Sequence, residues 1–421
     1  MNERSVSVNG ISIYSLTNPN LRSFCLSLYV RAGSIFEDLS NNGISHLFEH
    51  VVFRNIKNKY ENFYELLAMH GLCFQGSTYK KFVSFTIDGP QHEFDFAIEI
   101  LCGLFDEIKL TSHDFNNEKG RIKAEIREKD RRSSLDFYFD SIVWKNSEVE
   151  KIVLGYCKTV DRVSVKKINE FRQKVLSAGN CFVYATGNIS DENLDALNKK
   201  ISELDISQSN PGFTNAVTVN DEFFHREKKI WIKNNYWHYI QIGFDVDCSK
   251  YPGGVYDLLY ALLFNGDKAL VYNYLSEDNP IIYSYDSTFE QYDNVGNINF
   301  SFEVDRNKIE DVFKTVVELL NAAKDGRFNF EANLNYEMFN WELDLDKPSN
   351  LNWNMAYYNH ILKTEPIDYL DEFYGRFRVT KKQVTDAAKD IFRRCNMTVA
   401  MMGNKKKINT DAIEKILESL D

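Results

Sequence analysis

Two histidines and a glutamate fall within five residues of one another early in the chain, where residues 46–50 read HLFEH. On a helix His46 and His50 stand at i and i+4. They then share one face, with Cβ atoms about 5–6 Å apart. Two imidazoles so placed can bind one zinc ion at about 2.0–2.1 Å each. Glu49, three residues after His46, projects toward the same metal. A carboxylate there can take a proton from a water that the metal activates, which makes it the general base of a hydrolysis.

A catalytic zinc takes three protein ligands and keeps one position open. His70, His92 and His113 lack convincing spacing and read as helix-end or turn residues. A polar helix expected over 112–133, with Ser112 as its N-cap, offers Glu118, Glu125 and Glu128. Glu118 and Glu125 are seven residues apart and share a face with Ile122 between them. The stretch EKGRIKAEIREKDRR also reads as a solvated, salt-bridged helix. Spacing alone leaves the three glutamates open as ligands.

The elements that must hold these residues are written twice. Residues 180–188 (NCFVYATGN) and 396–404 (NMTVAMMGN) lie 216 apart. Carried back without gaps, that offset sets 163–168 on 379–384 and Phe24–Leu28 on Ile240–Phe244. It also sets HLFEH on Leu262-Leu263-Phe264-Asn265-Gly266, which has lost every candidate ligand. One offset holding at separated places indicates duplication. Alternating strands are expected over 22–32, 81–88, 237–246 and 297–304. Helices are expected over 42–56, 92–107, 164–176, 253–264, 306–323 and 380–392. The expectation is an α+β protein of two homologous α/β sandwich domains with mixed, mainly antiparallel sheets. The first domain would span 1–208 and carry the zinc, the second 221–421 and lack it, with Ser-Asn-Pro-Gly at 209–212 as linker.

A net charge of −11 over 421 residues argues against binding nucleic acid or anionic lipid by charge. Seven scattered cysteines without a CxxC argue against a disulfide framework or thiolate zinc site. No apolar run of about 18 residues predicts a membrane span, and Met1–Ser5 opens no secretory signal. A cytoplasmic protein is the expectation.

Residues Asn41–His50 with Phe53 resemble the "NNGxxHxxEHxxF" segment of the pitrilysin/insulinase family, whose inverted zinc motif HLFEH matches. Gly71 and Gln75-Gly76-Ser77-Thr78 resemble its "GG…NAxT" strand, and Glu118 and Glu125 its downstream glutamates. The family has two similar halves, only the first with zinc, and its short processing-peptidase branch suits this chain best. The resemblance implies zinc held by His46, His50 and Glu125, Glu49 as base and Glu118 supporting a ligand or proton transfer. It further implies Phe48 facing the cleft, Gln75 and its strand receiving a peptide substrate, and Tyr283 gripping it.

One position departs from the family. In its "LRExxGLxY" segment, matched here by Leu275–Tyr283, Ser276 replaces the Arg and cannot supply its charge or fork of donors. The departure implies either a weak or narrowly specific enzyme or, the preferred reading, a homologous partner supplying the Arg/Tyr pair in a heterodimer, or a second copy in a homodimer, as in bacteriocin-maturation peptidase pairs. The function implied is a zinc endopeptidase acting on peptides or unfolded segments in an enclosed chamber, in bacteriocin or leader-peptide processing. The competing class is a non-catalytic structural or peptide-binding subunit of the same fold.

Overall fold

The computed structural model describes residues 3–128, 131–213, 217, 223–224, 226–362, 375 and 378–420. In chain order the first half holds β1 (Arg4–Val8), β2 (Ile11–Thr17), β3 (Ser23–Val30), α1 (Ile44–Lys57), α2 (Phe63–Met69), β4 (Cys73–Thr78), β5 (Val83–Pro90) and α3 (Phe94–Gly103). It continues with α4 (Ser112–Arg127), α5 (Arg131–Val143), α6 (Cys157–Arg162), α7 (Val165–Val175), β6 (Cys181–Gly187) and α8 (Asp191–Ser202). The second half holds β7 (Ile230–Asn234), β8 (Tyr239–Asp247), α9 (Gly253–Phe264), the short α10 (Leu270–Tyr272), β9 (Tyr285–Tyr292) and β10 (Val295–Glu303). After these come α11 (Ile309–Lys324), α12 (Phe330–Leu345), α13 (Pro348–Ala356), helix Lys381–Ile391, β11 (Met397–Gly403) and helix Thr410–Leu417.

The two sheets run β1-β2-β6-β3-β5-β4 and β7-β11-β8-β10-β9. From β2 and from β7 onward the orders correspond strand for strand. Each sheet has one parallel pair, β2 with β6 and β7 with β11, and its other pairs are antiparallel. The fold class is therefore as the sequence indicated.

The ungapped offset slips between these strands. Phe182 and Thr398 are 216 apart, but their ladder partners Tyr29 and Gly243 are 214 apart. The slip grows at the next helix, because residues 31–43 join β3 to α1 while the shorter 248–252 joins β8 to α9. Helix α9 ends at Phe264, so Asn265 and Gly266 lie beyond it and are not the helical counterparts of Glu49 and His50.

The chain divides into two compact units, residues 1–128, 148–215 and 342–366 in the first and 129–147, 216–341 and 367–421 in the second. Each linear half thus lends a helix to the other half's unit. In the first unit, alternation puts Phe24, Leu26, Leu28 and Val30 of β3 against the helices, where Phe24 meets Phe94 of α3 edge-on at 4.9 Å. The opposite face carries Ser27 and Tyr29 and receives α13. Buried Asn352 accepts from Tyr29 Oη at 2.8 Å and donates to the Tyr184 carbonyl at 2.9 Å, so the polar atoms of this layer are satisfied. In the second unit α5 fills that place, with Phe139 packed where Gly243 leaves room.

Helix α1 is anchored at its start by a residue with no counterpart in the expected motif. Glu37, 3% exposed, accepts from the backbone N–H groups of Gly43 (2.7 Å) and Ser45 (2.8 Å) and from Asn42 Nδ2 (2.8 Å). A carboxylate there satisfies orphan donors and complements the helix dipole. The N-cap of α4 is Thr111, not Ser112: its hydroxyl accepts from Asp114 N at 3.0 Å. The expected helix 112–133 instead ends at Arg127, and α5 belongs to the other unit.

Candidate metal centre

The HLFEH pentad occupies the first turns of α1, and α4 packs across it. The amphipathic pattern of α1 buries Leu47, Val51 and Val52 in the core and turns His46, Glu49 and His50 to one side. On α4, buried Phe115 and Ile122 dock the helix and present Glu118 and Glu125 to the histidines. His46 Nε2 lies 3.7 Å from Glu125 Oε2, and His50 Nε2 lies 3.9 Å from the same oxygen. The three donors all lie within 4.8 Å of one another.

Tetrahedral zinc with ligands at about 2.0–2.1 Å sets its donors roughly 3.3 Å apart. The two His–Glu separations, 3.7 and 3.9 Å, lie close above that spacing, and two imidazoles with one carboxylate suit zinc. His46 is pushed down to about 3 by burial and by the neighbouring His50, so it is neutral and able to coordinate. Burial alone lowers His50, but its contact with Glu118 and the charges of Glu49, Glu118 and Glu125 outweigh it and raise the group.

Glu118 is 2% exposed and sits 3.5 Å from His50 Nδ1. That contact turns His50 Nε2 toward Glu125, the usual second contact of a metal-binding histidine. Arg121 Nη1 donates to Glu118 at 3.2 Å, and Arg54 lies 3.9 Å from it while donating to Asp114 at 2.5 Å. Of the three glutamates that spacing left open, Glu125 lies with the two histidines in the donor trio, Glu118 sits against His50 Nδ1, and among the described residues Glu128 is in neither arrangement.

Glu49 stands beside the trio without joining it. Its carboxyl is pushed up by burial, an effect that the Thr78 hydroxyl opposes by donating to Oε2 at 2.8 Å. Thr78 ends β4, the edge strand of its sheet. Gln75 and Gly76 of that strand, with Glu49 and His50, line a cleft of ≈370 Å³. Gly76 comes so close that a Cβ there would stand 2.9 Å from Glu49 Cγ.

The family resemblance places both Phe48 and Tyr283 at the substrate. Phe48 does not face the cleft; it is wholly buried and packs edge-on to Phe85 and Phe171 at 6.1 and 5.7 Å, because it points to the sheet side of α1. Tyr283 lies in the second unit, 98% exposed, in a cleft lined also by Trp237 and His238. Sequence reasoning missed Thr78 and Glu37. Thr78 sits inside the quoted QGST segment, but only pairing in the sheet aims its hydroxyl.

The sequence profile of the insulinase family, peptidase family M16, matches residues 13–155, and that of the peptidase M16 inactive domain matches 162–332. The chain belongs to peptidase family M16. All five residues of the candidate centre lie within the first of these matches. YmxG of Bacillus subtilis, described as an uncharacterized zinc protease, is 21% identical over 332 residues, which cover 77% of this chain and 79% of YmxG. The beta subunit of mitochondrial-processing peptidase from Saccharomyces cerevisiae is 23% identical over 190 residues, 44% of this chain and 41% of its own length. A protease from Helicobacter pylori shares the fold with a TM-score of 0.82 at 18% identity, covering 96% of this chain and 99% of that one. No helix among the described residues is long and apolar enough to cross a membrane.

Proposed function

We propose that this M16 chain is a zinc endopeptidase whose metal is held by His46, His50 and Glu125. The observation that carries this reading is the convergence of those three donors from α1 and α4 beside a buried Glu49 that no ion pair neutralises among the described residues. Bound there, zinc supplies Lewis-acid polarisation of a peptide carbonyl and stabilises charge on its oxygen.

The chain's own residues supply the rest. Glu49 accepts a proton from the attacking water and delivers it to the leaving amine. Its raised proton affinity suits both halves of that exchange. Glu118 holds the His50 ring in orientation. The outer edge of β4 offers unpaired backbone groups on which an extended peptide can add as a further strand. That mode favours peptides and unfolded segments over folded proteins.

We further propose that the chain works with a homologous partner enclosing the cleft, the loss of the family Arg at Ser276 being the reason. Processing of leader peptides or bacteriocins is the substrate reading that accompanies it. The test is zinc content and peptide cleavage by the purified chain, alone and with a homologue encoded beside it. Stoichiometric zinc with cleavage in either setting supports the peptidase. Zinc-free protein without cleavage leaves the non-catalytic subunit.

A further inference from the structure

The cleft beside the candidate centre carries an uneven set of charges. His50, Phe53, Arg54 and Lys57 follow one another along a stripe of α1, and Tyr64 of α2 and Arg121 of α4 close the sides. Most of the charge here is already engaged. Arg54 donates to Asp114 at 2.5 Å, Arg121 to Glu118 at 3.2 Å, and Glu49 accepts from Thr78 at 2.8 Å. Lys57 is different. Its ammonium sits 4.5 Å over the Tyr64 ring, and no carboxylate pairs with it among the described residues. An aromatic face holds a cation in place without neutralising it.

We propose that this cleft selects an acidic side chain at the residue beside the scissile bond, with Lys57 as the specificity-determining residue. The inference rests on the peptidase reading for the placement of substrate. A strand added along β4 runs past Gln75 and Gly76, which form one wall of the cleft, so alternate side chains of that strand point into it. Phe53, stacked on Phe74 at 4.7 Å, gives the stem of the side chain an apolar floor. Lys57 meets its charged end. A lysine entering the same space meets a like charge.

The test measures peptide binding to the Glu49→Gln variant by fluorescence anisotropy. The peptides are ten residues long, labelled, and identical except for Glu, Leu or Lys at one central position. The Glu peptide should bind roughly fivefold more tightly than the Lys peptide, the upper range for one partly exposed ion pair. Adding Lys57→Glu should reverse that order, and Lys57→Gln should abolish it, with thermal melts confirming that each variant is folded. Equal affinities, a preference for Lys, an order indifferent to Lys57, or no binding of any peptide would overturn the proposal. Cleavage of the same peptides by the unmodified chain separates the two readings. Binding with Glu preference but no cleavage defeats the peptidase and keeps the selectivity, whereas cleavage with flat binding defeats the selectivity alone.

Discussion

Thr78 Oγ1 donates to Glu49 Oε2 at 2.8 Å, tying the end of the edge strand to the candidate base. The strand on which a substrate would lie and the carboxylate that would act on it are thus one connected unit.

Thr78→Val keeps the shape and removes that donor. Glu49 loses the contact that opposes its upward shift by burial, so its proton affinity rises further. A general base works when deprotonated, so activity grows as pH rises through its pKa. The acid limb of kcat/KM should move up by about one pH unit, the effect of one hydrogen bond of roughly 1.5 kcal/mol, with activity on that limb reduced up to about tenfold. A pH–rate profile of both proteins checks this.

Glu49→Gln preserves the side chain's volume but cannot take up a proton. Zinc content should stay stoichiometric by elemental analysis while peptide hydrolysis falls by about 10²–10⁴-fold. Undiminished hydrolysis would remove Glu49 from the mechanism.

Glu125 and Glu118 should separate in a zinc titration. Glu125→Ala removes a donor, and the zinc-binding isotherm should collapse. Glu118→Gln leaves all three donors and loses only the support of His50, so affinity should weaken by about 10–100-fold. Equal losses in the two variants would contradict the assignment of Glu118 to a supporting place.

Ser276→Arg bears on the partner. If loss of the guanidinium limits the lone chain, the substitution should raise its kcat/KM with zinc content unchanged. Constant activity in the lone chain, with stimulation by a homologue, favours the pair.

Glu37→Ala leaves the N–H groups of Gly43 and Ser45 and the Asn42 amide without their shared acceptor. Each buried donor left unsatisfied costs about 1–3 kcal/mol, and the partial relaxation of three adjacent donors should bring the total to roughly 3 kcal/mol. Chemical denaturation should show it, together with weaker zinc binding, because His46 sits one turn inside that end of α1.

The HLFEH spacing on its own was enough to place two imidazoles and a carboxylate on one side of a helix, because helical geometry is local and i, i+4 neighbours follow from it. The duplicated strands were legible for the same reason: alternation and turn residues recur within short windows. Three things were settled only by the assembled units. Glu125, not Glu118 or Glu128, completes the donor trio, since the crossing of α4 over α1 sets which carboxylate reaches the histidines. Phe48 turns to the core and Thr78 to Glu49, since each answer depends on which face a sheet covers. The exchange of α5 and α13 between halves escaped any linear reading, because a helix is drawn to whichever apolar sheet face it can bury, and sequence order does not record that choice.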